Sequence, residues 1–202
     1  MAERYSRARG KCQALTPEQV DYVLSTFFGR YAARDKALFI MGCKTGYRIS
    51  ELLSLRVGDV LQNGRLADRV TVQRRDMKGE TRSRTVPLNE QVQGALVEWI
   101  AQLRREGHDS PDSYLFQSRQ GVNRPLSRSQ ASKIIHDALE AGEVQGTLGT
   151  HVMRKSFARN ALALSGNNAR LVQKALGHSK LSTTEAYLDV DQDAVDQVVL
   201  AM

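Results

Sequence analysis

Three short segments of this 202-residue chain carry polar side chains at positions where a simple amphipathic helix has no need of them. The first segment, TGYRISELLSLR, places Arg48 shortly after a glycine and directly before an apolar helical pattern. The second begins with His151 and Arg154, whose spacing puts both on one face of a helix. The third contains His178 and, further along, Tyr187. Arginine suits phosphate oxygens and tyrosine offers a nucleophilic hydroxyl, so these residue types indicate chemistry on a phosphate ester.

The net charge points to a polyanionic partner. The chain has 29 lysines and arginines against 22 acidic residues, which gives a formal charge of +7. A basic surface of this size favours nucleic acid, the commonest polyanion that proteins meet. Mild basicity without a specific cause is the alternative that charge alone leaves open.

Composition excludes several classes of protein. With 41% hydrophobic and 25% charged residues, the chain resembles a soluble globular domain that buries a core without disulfides. No apolar run approaches the roughly 18 residues of a membrane span, and the charged start does not look like a signal peptide. The two cysteines, Cys12 and Cys43, predict reduced thiols in the cytoplasm, and no spacing of Cys and His predicts a metal site.

The succession of helical and strand patterns predicts a mainly α fold with a small antiparallel β-sheet. The sequence Thr16-Pro17-Glu18 has the features of a helix start. Helical patterns follow in the segments 30–41, 50–55, 89–105, 127–141, 150–164, 167–176 (beginning at Asn167 or Asn168), 183–188 and 191–202. The glycines at 42 and 46 are expected to break the second helix. Residues 69–73 and 82–88 predict a hairpin with a basic turn, and residues 114–116 predict an edge strand.

The order of these elements resembles the tyrosine recombinase (phage integrase) family over roughly residues 15–190. Each matching residue alone is a weak signal, whereas their shared order and spacing are specific. The residues that carry the resemblance are Arg48 in TGYRISELLSLRVGD, Lys78 in MKGETRSRTVPL, His151 and Arg154 in HVMRKSFA, His178 in LGHSKLSTT, and Tyr187. The resemblance implies the DNA breaking and rejoining catalytic fold of that family.

Phosphodiester cleavage without a metal requires positive charge near the nonbridging oxygens as negative charge builds on them. Arg48 and Arg154 are expected to supply it, because a guanidinium stays charged and can bind two phosphate oxygens at once. Tyr187 is the expected nucleophile, provided that its proton leaves as the new bond forms. The family implies a 3′-phosphotyrosine intermediate and a free 5′-hydroxyl. It implies no metal, nucleotide or organic cofactor, since the covalent intermediate conserves the bond energy.

Four further residues complete the expected site. Lys78, on the turn of the hairpin, is expected to protonate the leaving oxygen. Arg75 or another hairpin cation is the alternative, because the turn is slightly longer than the commonest family spacing. By resemblance, His151 is the general base or its equivalent, and His178 donates a hydrogen bond to the phosphate. Glu51 lies one helical turn after the first arginine and is expected to hold it in place.

Basic residues outside this set are expected to contact the DNA backbone. The helix start at Ser127 combines hydroxyls with cations, which favours phosphate binding. The candidate contact residues are Lys44, Arg74, Arg75, Arg82, Arg84, Arg124, Ser127, Arg128, Lys133 and Lys155. For each of them, a solvated surface without DNA contact is the alternative.

The sequence divides into a flexible basic arm at 1–14, a catalytic domain at 15–190 and a tail helix at 191–202. We expect no counterpart of the separate N-terminal helical domain that most family members carry, so DNA affinity should be modest and steeply salt-dependent. An excised catalytic domain is one explanation. The Met start, the arm and the tail favour a natural short protein, similar to fimbrial phase-switch recombinases and minimal phage integrases.

The tail carries an apolar stripe of Val195, Val198, Val199 and Leu200 after an acidic stretch. In the resembled family such a helix docks on a neighbouring protomer, which implies a dimer or tetramer on double-stranded DNA. Folding back onto the helix's own domain is the alternative.

The expected function is site-specific recombination of duplex DNA, in the cytoplasm of a bacterium and encoded by the bacterium or a phage. One rival is an enzyme like a type IB topoisomerase, which shares the chemistry but relaxes supercoils. The other rival is a non-catalytic DNA-binding regulator on the same fold. The tail and the LGHSK segment favour the recombinase, and the complete set of catalytic residue types disfavours the regulator.

Overall fold

The computed structural model describes residues 12–73, 83–185, 187 and 200, and this part of the chain is mainly helical, as predicted. Its helices are α1 (Pro17–Thr26), α2 (Ala32–Thr45), α3 (Ile49–Ser54), α4 (Val57–Val60), α5 (Glu90–Arg105), α6 (Arg128–Ala141), α7 (His151–Leu164), α8 (Ala169–Leu176) and α9 (Leu181–Glu185). Its strands are β1 (Leu61–Gln62), β2 (Arg65–Leu66), β3 (Arg69–Val72) and β4 (Arg84–Pro87). They form two separate antiparallel pairs, β1 with β2 and β3 with β4.

Side-chain caps fix the points at which several helices begin. Thr16 and Gln19 form a reciprocal capping box at the start of α1. The side chains of Asn89, Ser127 and Asn168 accept backbone N–H groups at the starts of α5, α6 and α8. Each cap satisfies a donor that the first helical turn leaves open, worth about 1 kcal/mol. The starts predicted for these helices are therefore confirmed.

Helix α2 lies in the middle of the core, where it packs against α5 and α7. Every residue of α2 from Ala37 to Cys43 is buried, so the helix is covered on all sides rather than along one stripe. Trp99 of α5 is also buried and donates its indole N–H to the carbonyl of Leu115 at 2.7 Å. Neither cysteine forms a disulfide, and burial raises the pKa of the Cys43 thiol, which makes it unreactive.

Helix α2 is longer than the sequence pattern predicted, because Gly42 does not end it. A Cβ at Gly42 would overlap the side chain of Met153 in α7, so this glycine permits the close approach of the two helices. The helix ends at Gly46, the second of the two glycines expected to break it, whose φ of +62° lies in the left-handed region that favours glycine. Arg154 of α7 donates to the Gly46 carbonyl, and this contact fixes the end of α2 against α7.

The two strands of the predicted hairpin are confirmed. Strands β3 and β4 pair antiparallel, with Val72 opposite Arg84 at the open end of the ladder. The basic turn that was predicted between them lies outside the described residues. Asn63 and Gly64, a residue pair typical of turns, both have positive φ and join β1 to β2.

The edge strand predicted at residues 114–116 does not form. Tyr114 makes only an isolated bridge with Arg56. The backbone N–H of Leu115 donates to the Leu55 carbonyl at 2.8 Å, and the carbonyl of Leu115 accepts from the indole N–H of Trp99. Because these backbone groups pair with a loop and a side chain, no ladder of strand length develops.

A smaller apolar cluster joins the last helices to α7. It contains Ala158, Val172 and Leu176, and the side chains of Phe157 and Tyr187 pack against it. Helix α9 begins two residues before the predicted turn of helix and directs the chain back towards this cluster. The C-terminal segment, which contains His178 and Tyr187, thus packs on α7 through this smaller cluster.

Of the predicted tail, only Leu200 belongs to the described residues, so the three proposed segments 1–14, 15–190 and 191–202 stay predictions. Across the described ranges, the chain contains no helix with the length and apolar character needed to cross a bilayer.

Candidate active site

Arg48 and Glu51 form the first part of a charged cluster at the end of α2. Arg48 is the residue that precedes α3, and the carboxylate of Glu51 lies one turn inside it. Glu51 is 1% exposed and accepts the Arg48 backbone N–H at 2.8 Å and its guanidinium N–H at 2.9 Å. One carboxylate therefore caps the helix and orients the arginine, which is the contact that the expected holding role of Glu51 requires. The Arg48 side chain is 30% exposed and reaches the surface from this support.

Arg154 of α7 is 2% exposed and bridges two helix ends. Its guanidinium donates to the carbonyl of Gly46, after α2, and to that of Leu176, the last residue of α8, at 2.9 Å. These carbonyls are the negative ends of helix dipoles and compensate its charge. Burial, followed by the positive charges of Arg48 and Arg84, lowers the pKa of Arg154 to about 10, so it stays charged at neutral pH.

The Nε of Arg154 is buried and has no hydrogen-bond partner among the described residues. A buried donor without a partner costs about 1–3 kcal/mol, so such groups in native proteins call for an explanation. An anionic oxygen that enters the site would satisfy this donor. The observation fits the phosphate-binding role expected for Arg154.

His178 follows the end of α8 and is held from both sides. Its Nε2 lies 2.8 Å from an Arg154 guanidinium nitrogen, and its Nδ1 lies 2.9 Å from the Thr184 hydroxyl. Because a guanidinium only donates, Nε2 accepts and Nδ1 carries the proton. Burial, and then the charge of Arg154, lower the pKa of His178 to about 4, so the ring is neutral at pH 7. The expected hydrogen bond from His178 to a phosphate therefore requires a proton on Nε2.

Tyr187 packs against both of these side chains. Its ring centroid lies 5.5 Å from that of His178, and the Arg154 guanidinium carbon lies 5.8 Å from the tyrosine ring centroid. The Tyr187 backbone N–H donates to the Thr184 carbonyl at 2.8 Å, which turns the chain towards the cluster after α9. Since the charge of Arg48 acts on both Arg154 and His178, four of the predicted catalytic residues form one cluster.

Arg84 departs from the expected surface contact with DNA, because it is only 9% exposed. Its guanidinium donates to the carbonyls of Thr45 at 3.2 Å and Ala175 at 2.6 Å, and it lies 4.0 Å from the centroid of the Tyr47 ring. The alternating burial of β4 turns Arg84 inward. This alternation is visible in the sequence RTVP and could have assigned Arg84 to the interior.

Two further side chains of the cluster were not identified from the sequence. Thr184 holds the Nδ1 side of His178, and the hydroxyl of Tyr47 lies 2.6 Å from the Arg84 carbonyl and 3.1 Å from the Val70 carbonyl. Burial raises the pKa of Tyr47 to about 12, so this hydroxyl remains a donor. A lone threonine or tyrosine has no spacing signal, and only the folded chain shows these contacts.

The contacts described above do not include His151. His151 is exposed at the first position of α7, one helical turn before Arg154. The hairpin cations Lys78, Arg74, Arg75 and Arg82 lie outside the described residues. Their roles stay predictions.

Most of the described candidates for DNA contact lie on the surface. Arg124, Ser127, Arg128 and Lys133 are exposed, whereas Lys44 and Lys155 are half-buried. Lys133 pairs with an aspartate at 3.2 Å, a surface contact of little energetic weight.

An open cleft of about 530 Å³ lies beside α3 and α6. It is lined by Ser50, Ser54, Arg56 and Arg128, among others. Hydroxyls and guanidinium groups at one concave surface suit the phosphates of a nucleic-acid backbone. Ser50 lies two residues after Arg48, so one edge of the cleft is formed by the same segment as the cluster.

The fold and the cluster define a class of protein in which arginine, histidine and tyrosine side chains meet at helix ends. The chain belongs to the phage integrase family, because the model of that family matches residues 13–193. This match confirms the resemblance inferred from the sequence.

Curated relatives of known name are similar over much of the chain. The tyrosine recombinase XerD of Corynebacterium glutamicum is 32% identical over 165 residues, which cover 82% of this chain and 51% of the relative. XerD of Rhizobium meliloti is 31% identical over 199 residues, which cover 98% of this chain and 58% of the relative. The chain thus spans between about half and three fifths of the length of these relatives.

Solved structures confirm the fold class. The crystal structure of XerA recombinase has a TM-score of 0.72 at 22% identity, covering 94% of this chain and 64% of that chain. XerH site-specific recombinase, in a post-cleavage complex with its palindromic difH substrate, has a TM-score of 0.73 at 23% identity. That match covers 98% of this chain and 55% of XerH.

Proposed function

We propose that this chain catalyses site-specific recombination by cleaving and rejoining duplex DNA through a 3′-phosphotyrosine intermediate. The observation that carries the proposal is the packing of Tyr187 against His178 and Arg154. The centroid of the Tyr187 ring lies 5.5 Å from that of His178 and 5.8 Å from the guanidinium carbon of Arg154. Family membership supports it, as do relatives named tyrosine recombinases and the post-cleavage complex of the similar XerH. The proposed setting is the cytoplasm of a bacterium, where the substrate DNA lies.

Arg48 and Arg154 bind the nonbridging oxygens of the scissile phosphate in this proposal. The carbonyls at two helix ends already hold the Arg154 guanidinium in place, so its position need not change when negative charge develops on the phosphate. Arg48 approaches from the more exposed side, held by Glu51. The hydroxyl oxygen of Tyr187 attacks the phosphorus, and its proton passes to a base, for which His151 is the proposed acceptor.

The bond between phosphorus and the 5′-oxygen breaks in the same step. The leaving oxygen takes a proton, which Lys78 of the hairpin is proposed to deliver, with Arg75 as the alternative. Rejoining reverses the sequence: a 5′-hydroxyl from the same or another strand attacks the phosphotyrosine and releases Tyr187. No external energy is required, because one phosphoester is exchanged for another.

The proposed DNA-binding surface extends from the cluster through the cleft to the start of α6. Arg124, Ser127, Arg128 and Lys133 contribute exposed polar groups there, and Lys44 and Lys155 lie half-buried nearer the core. The hairpin residues Arg74, Arg75 and Arg82 are proposed to contact the same backbone. Neutralised phosphates release counterions, so binding should weaken steeply as salt rises.

A nicked duplex with a short strand beyond the cleavage point tests the proposed chemistry. The short fragment diffuses away after cleavage, which traps the covalent complex. We expect a band of protein joined to DNA on a denaturing gel, and protease treatment should leave a modified residue at Tyr187. A complete absence of this complex on the protein's own target DNA would refute the assignment.

The topoisomerase-like rival differs in what it does to DNA without a target site. An enzyme of that type relaxes any supercoiled plasmid, whereas a recombinase needs its site and a partner protomer. We therefore expect little relaxation of a plasmid that lacks the site, and strand exchange once two sites are supplied. Rapid relaxation of the plasmid without a site would favour the rival.

We propose further that the tail at 191–202 docks on a neighbouring protomer in a dimer or tetramer on DNA. Leu200, its one described residue, is 86% exposed, as an intermolecular contact residue would be. Deleting residues 192–202 should leave unfolding temperature and single-site binding nearly unchanged while higher-order complexes and recombination are lost. Thermal unfolding and gel-shift titration measure the two effects.

The control for this deletion is the double substitution Val198→Asp and Val199→Asp, which keeps the length of the tail but removes two apolar contacts. It should reproduce the loss of higher-order complexes. If the tail folds back onto its own domain, deletion should instead lower the unfolding temperature of dilute protein without DNA, because a core patch is uncovered.

A further inference from the structure

Arg84 links the β3–β4 hairpin to the cluster of charged side chains described above. It is the first residue of β4, directly opposite Val72 of β3, and it is 9% exposed. Its neighbour Thr85 is exposed, so the pleat of the strand carries the guanidinium inward. The hairpin is thus attached to the site through a buried charge.

The contacts of Arg84 run parallel to those of Arg154. Arg84 donates to the carbonyls of Thr45 and Ala175, whereas Arg154 donates to the carbonyls of the next residue at each place, Gly46 and Leu176. Two guanidinium groups therefore join the C-terminal end of α2 to the C-terminal end of α8. The negative dipole ends of both helices compensate these charges.

This arrangement places positive charges close to one another, which costs free energy. Arg48 and Arg84 both act to lower the pKa of Arg154, after burial, and Arg84 lies 3.9 Å from the carboxylate of Glu51. A neutral donor, such as an amide side chain, could bind carbonyls at two helix ends without this repulsion. Electrostatic conflict of this kind is expected at functional sites rather than at purely structural ones.

The turn after α8 packs closely against the side chain of Arg84. Gly177 has a φ of +71°, and a Cβ there would lie 3.1 Å from the Cδ of Arg84. The next residue is His178, whose Nε2 accepts from Arg154. A shift of Arg84 would therefore move the turn that carries His178.

We propose that Arg84 is a positioning residue for the cleavage step, which rests on the proposed function. It fixes the ends of α2 and α8 relative to each other and so holds Arg154 and His178 at the separation that the reaction needs. In this role it acts on the phosphate through Arg154 and His178. Its effect should appear in the rate of the chemical step rather than in the affinity for DNA.

The test compares Arg84→Met with a matched control, Arg34→Met. Arg34 is also buried, lies 4.6 Å from the centroid of the Tyr31 ring, and donates to the carbonyl of Gln117 at 3.0 Å and to Asp35 at 2.8 Å. Both substitutions remove a buried, stacked guanidinium with similar partners. Of these two arginines, only Arg84 contacts the ends of α2 and α8.

We expect Arg84→Met to lower the single-turnover rate of covalent complex formation by about 10²-fold at saturating protein, the scale of a small misplacement of reacting groups. Its Kd for DNA should change by less than about threefold, a factor below the effect of losing a phosphate contact. Arg34→Met should reduce the unfolding temperature to a similar extent but leave the cleavage rate near that of the unchanged protein. Equal slowing by both variants, or wild-type cleavage by Arg84→Met, would overturn the proposal.

A second measurement follows His178 directly by NMR of the imidazole nitrogens. The groups that face His178 are Arg154, Arg48, Arg84, Thr184 and Tyr187. Removing the charge of Arg84 should raise the pKa of His178 from about 4 and change the nitrogen shifts that report its tautomer. Arg34→Met should leave both unchanged.

If Arg84→Met does not fold, Arg84→Lys replaces it. Lysine keeps the charge but is a point donor that cannot span two carbonyls, so cleavage should be slow while the pKa of His178 stays low. Wild-type cleavage by this variant would count against the proposal. A wild-type protein that forms no covalent complex would refute the proposed function alone, and an unchanged His178 in Arg84→Met would refute the positioning role alone.

Discussion

Replacing Tyr187 with phenylalanine should abolish the covalent complex between protein and DNA. The substitution removes the hydroxyl, which is the proposed nucleophile, but keeps the ring that packs against His178 at 5.5 Å and lies 5.8 Å from Arg154. Folding and DNA binding should therefore be nearly unchanged, and the loss of covalent product should be limited only by detection. The measurement is a denaturing gel of protein incubated with nicked duplex.

The control is Tyr22→Phe, which removes a hydroxyl from a tyrosine of α1 that is 55% exposed. It should form the complex at the wild-type rate. A covalent band from Tyr187→Phe would show that another residue is the nucleophile, and mapping the attached peptide would identify it.

Replacing either Arg48 or Arg154 with lysine should slow cleavage by roughly 10²-fold or more, because an ammonium cannot bind two phosphoryl oxygens at once. The two variants should differ in stability. Arg154 is 2% exposed and holds the carbonyls of Gly46 and Leu176, so Arg154→Lys should also lower the unfolding temperature. Arg48 has a side chain that is 30% exposed, and lysine can still pair with Glu51.

Single-turnover cleavage and thermal unfolding, measured on both lysine variants, separate these effects. Near-wild-type cleavage by both variants would contradict the proposed phosphate clamp. A large loss of stability in Arg48→Lys, with none in Arg154→Lys, would contradict the difference in burial on which the comparison rests.

The sequence was sufficient to predict the helices that begin with a capping side chain and the paired strands of the hairpin. Asn89, Ser127 and Asn168 mark their helix starts through local contacts, which do not depend on the rest of the fold. The end of α2 was mispredicted, because Gly42 continues the helix and makes room for the side chain of Met153, a residue far along the chain. Local patterns carry no information about such a contact.

The same limit applies to the candidate site. The resemblance placed Arg48, Arg154, His178 and Tyr187, and the structure brings them together. The burial of Arg84 was missed although the alternation in RTVP indicates it, because a basic residue beside a basic turn is most simply interpreted as a surface cation. The protonated nitrogen of His178 was also beyond the sequence, since it is determined by the Arg154 guanidinium on one side of the ring and a hydroxyl on the other.

The carbonyl partners of the buried arginines have a consequence for how the chain tolerates substitution. Arg84 and Arg154 bind the backbone oxygens of Ala175 and Leu176, and every residue type carries such an oxygen. Ala175 is itself exposed, so its side chain can be exchanged for many others without removing the acceptor. A deep mutational scan should therefore find position 175 permissive and position 84 restrictive, although the two residues share one hydrogen bond.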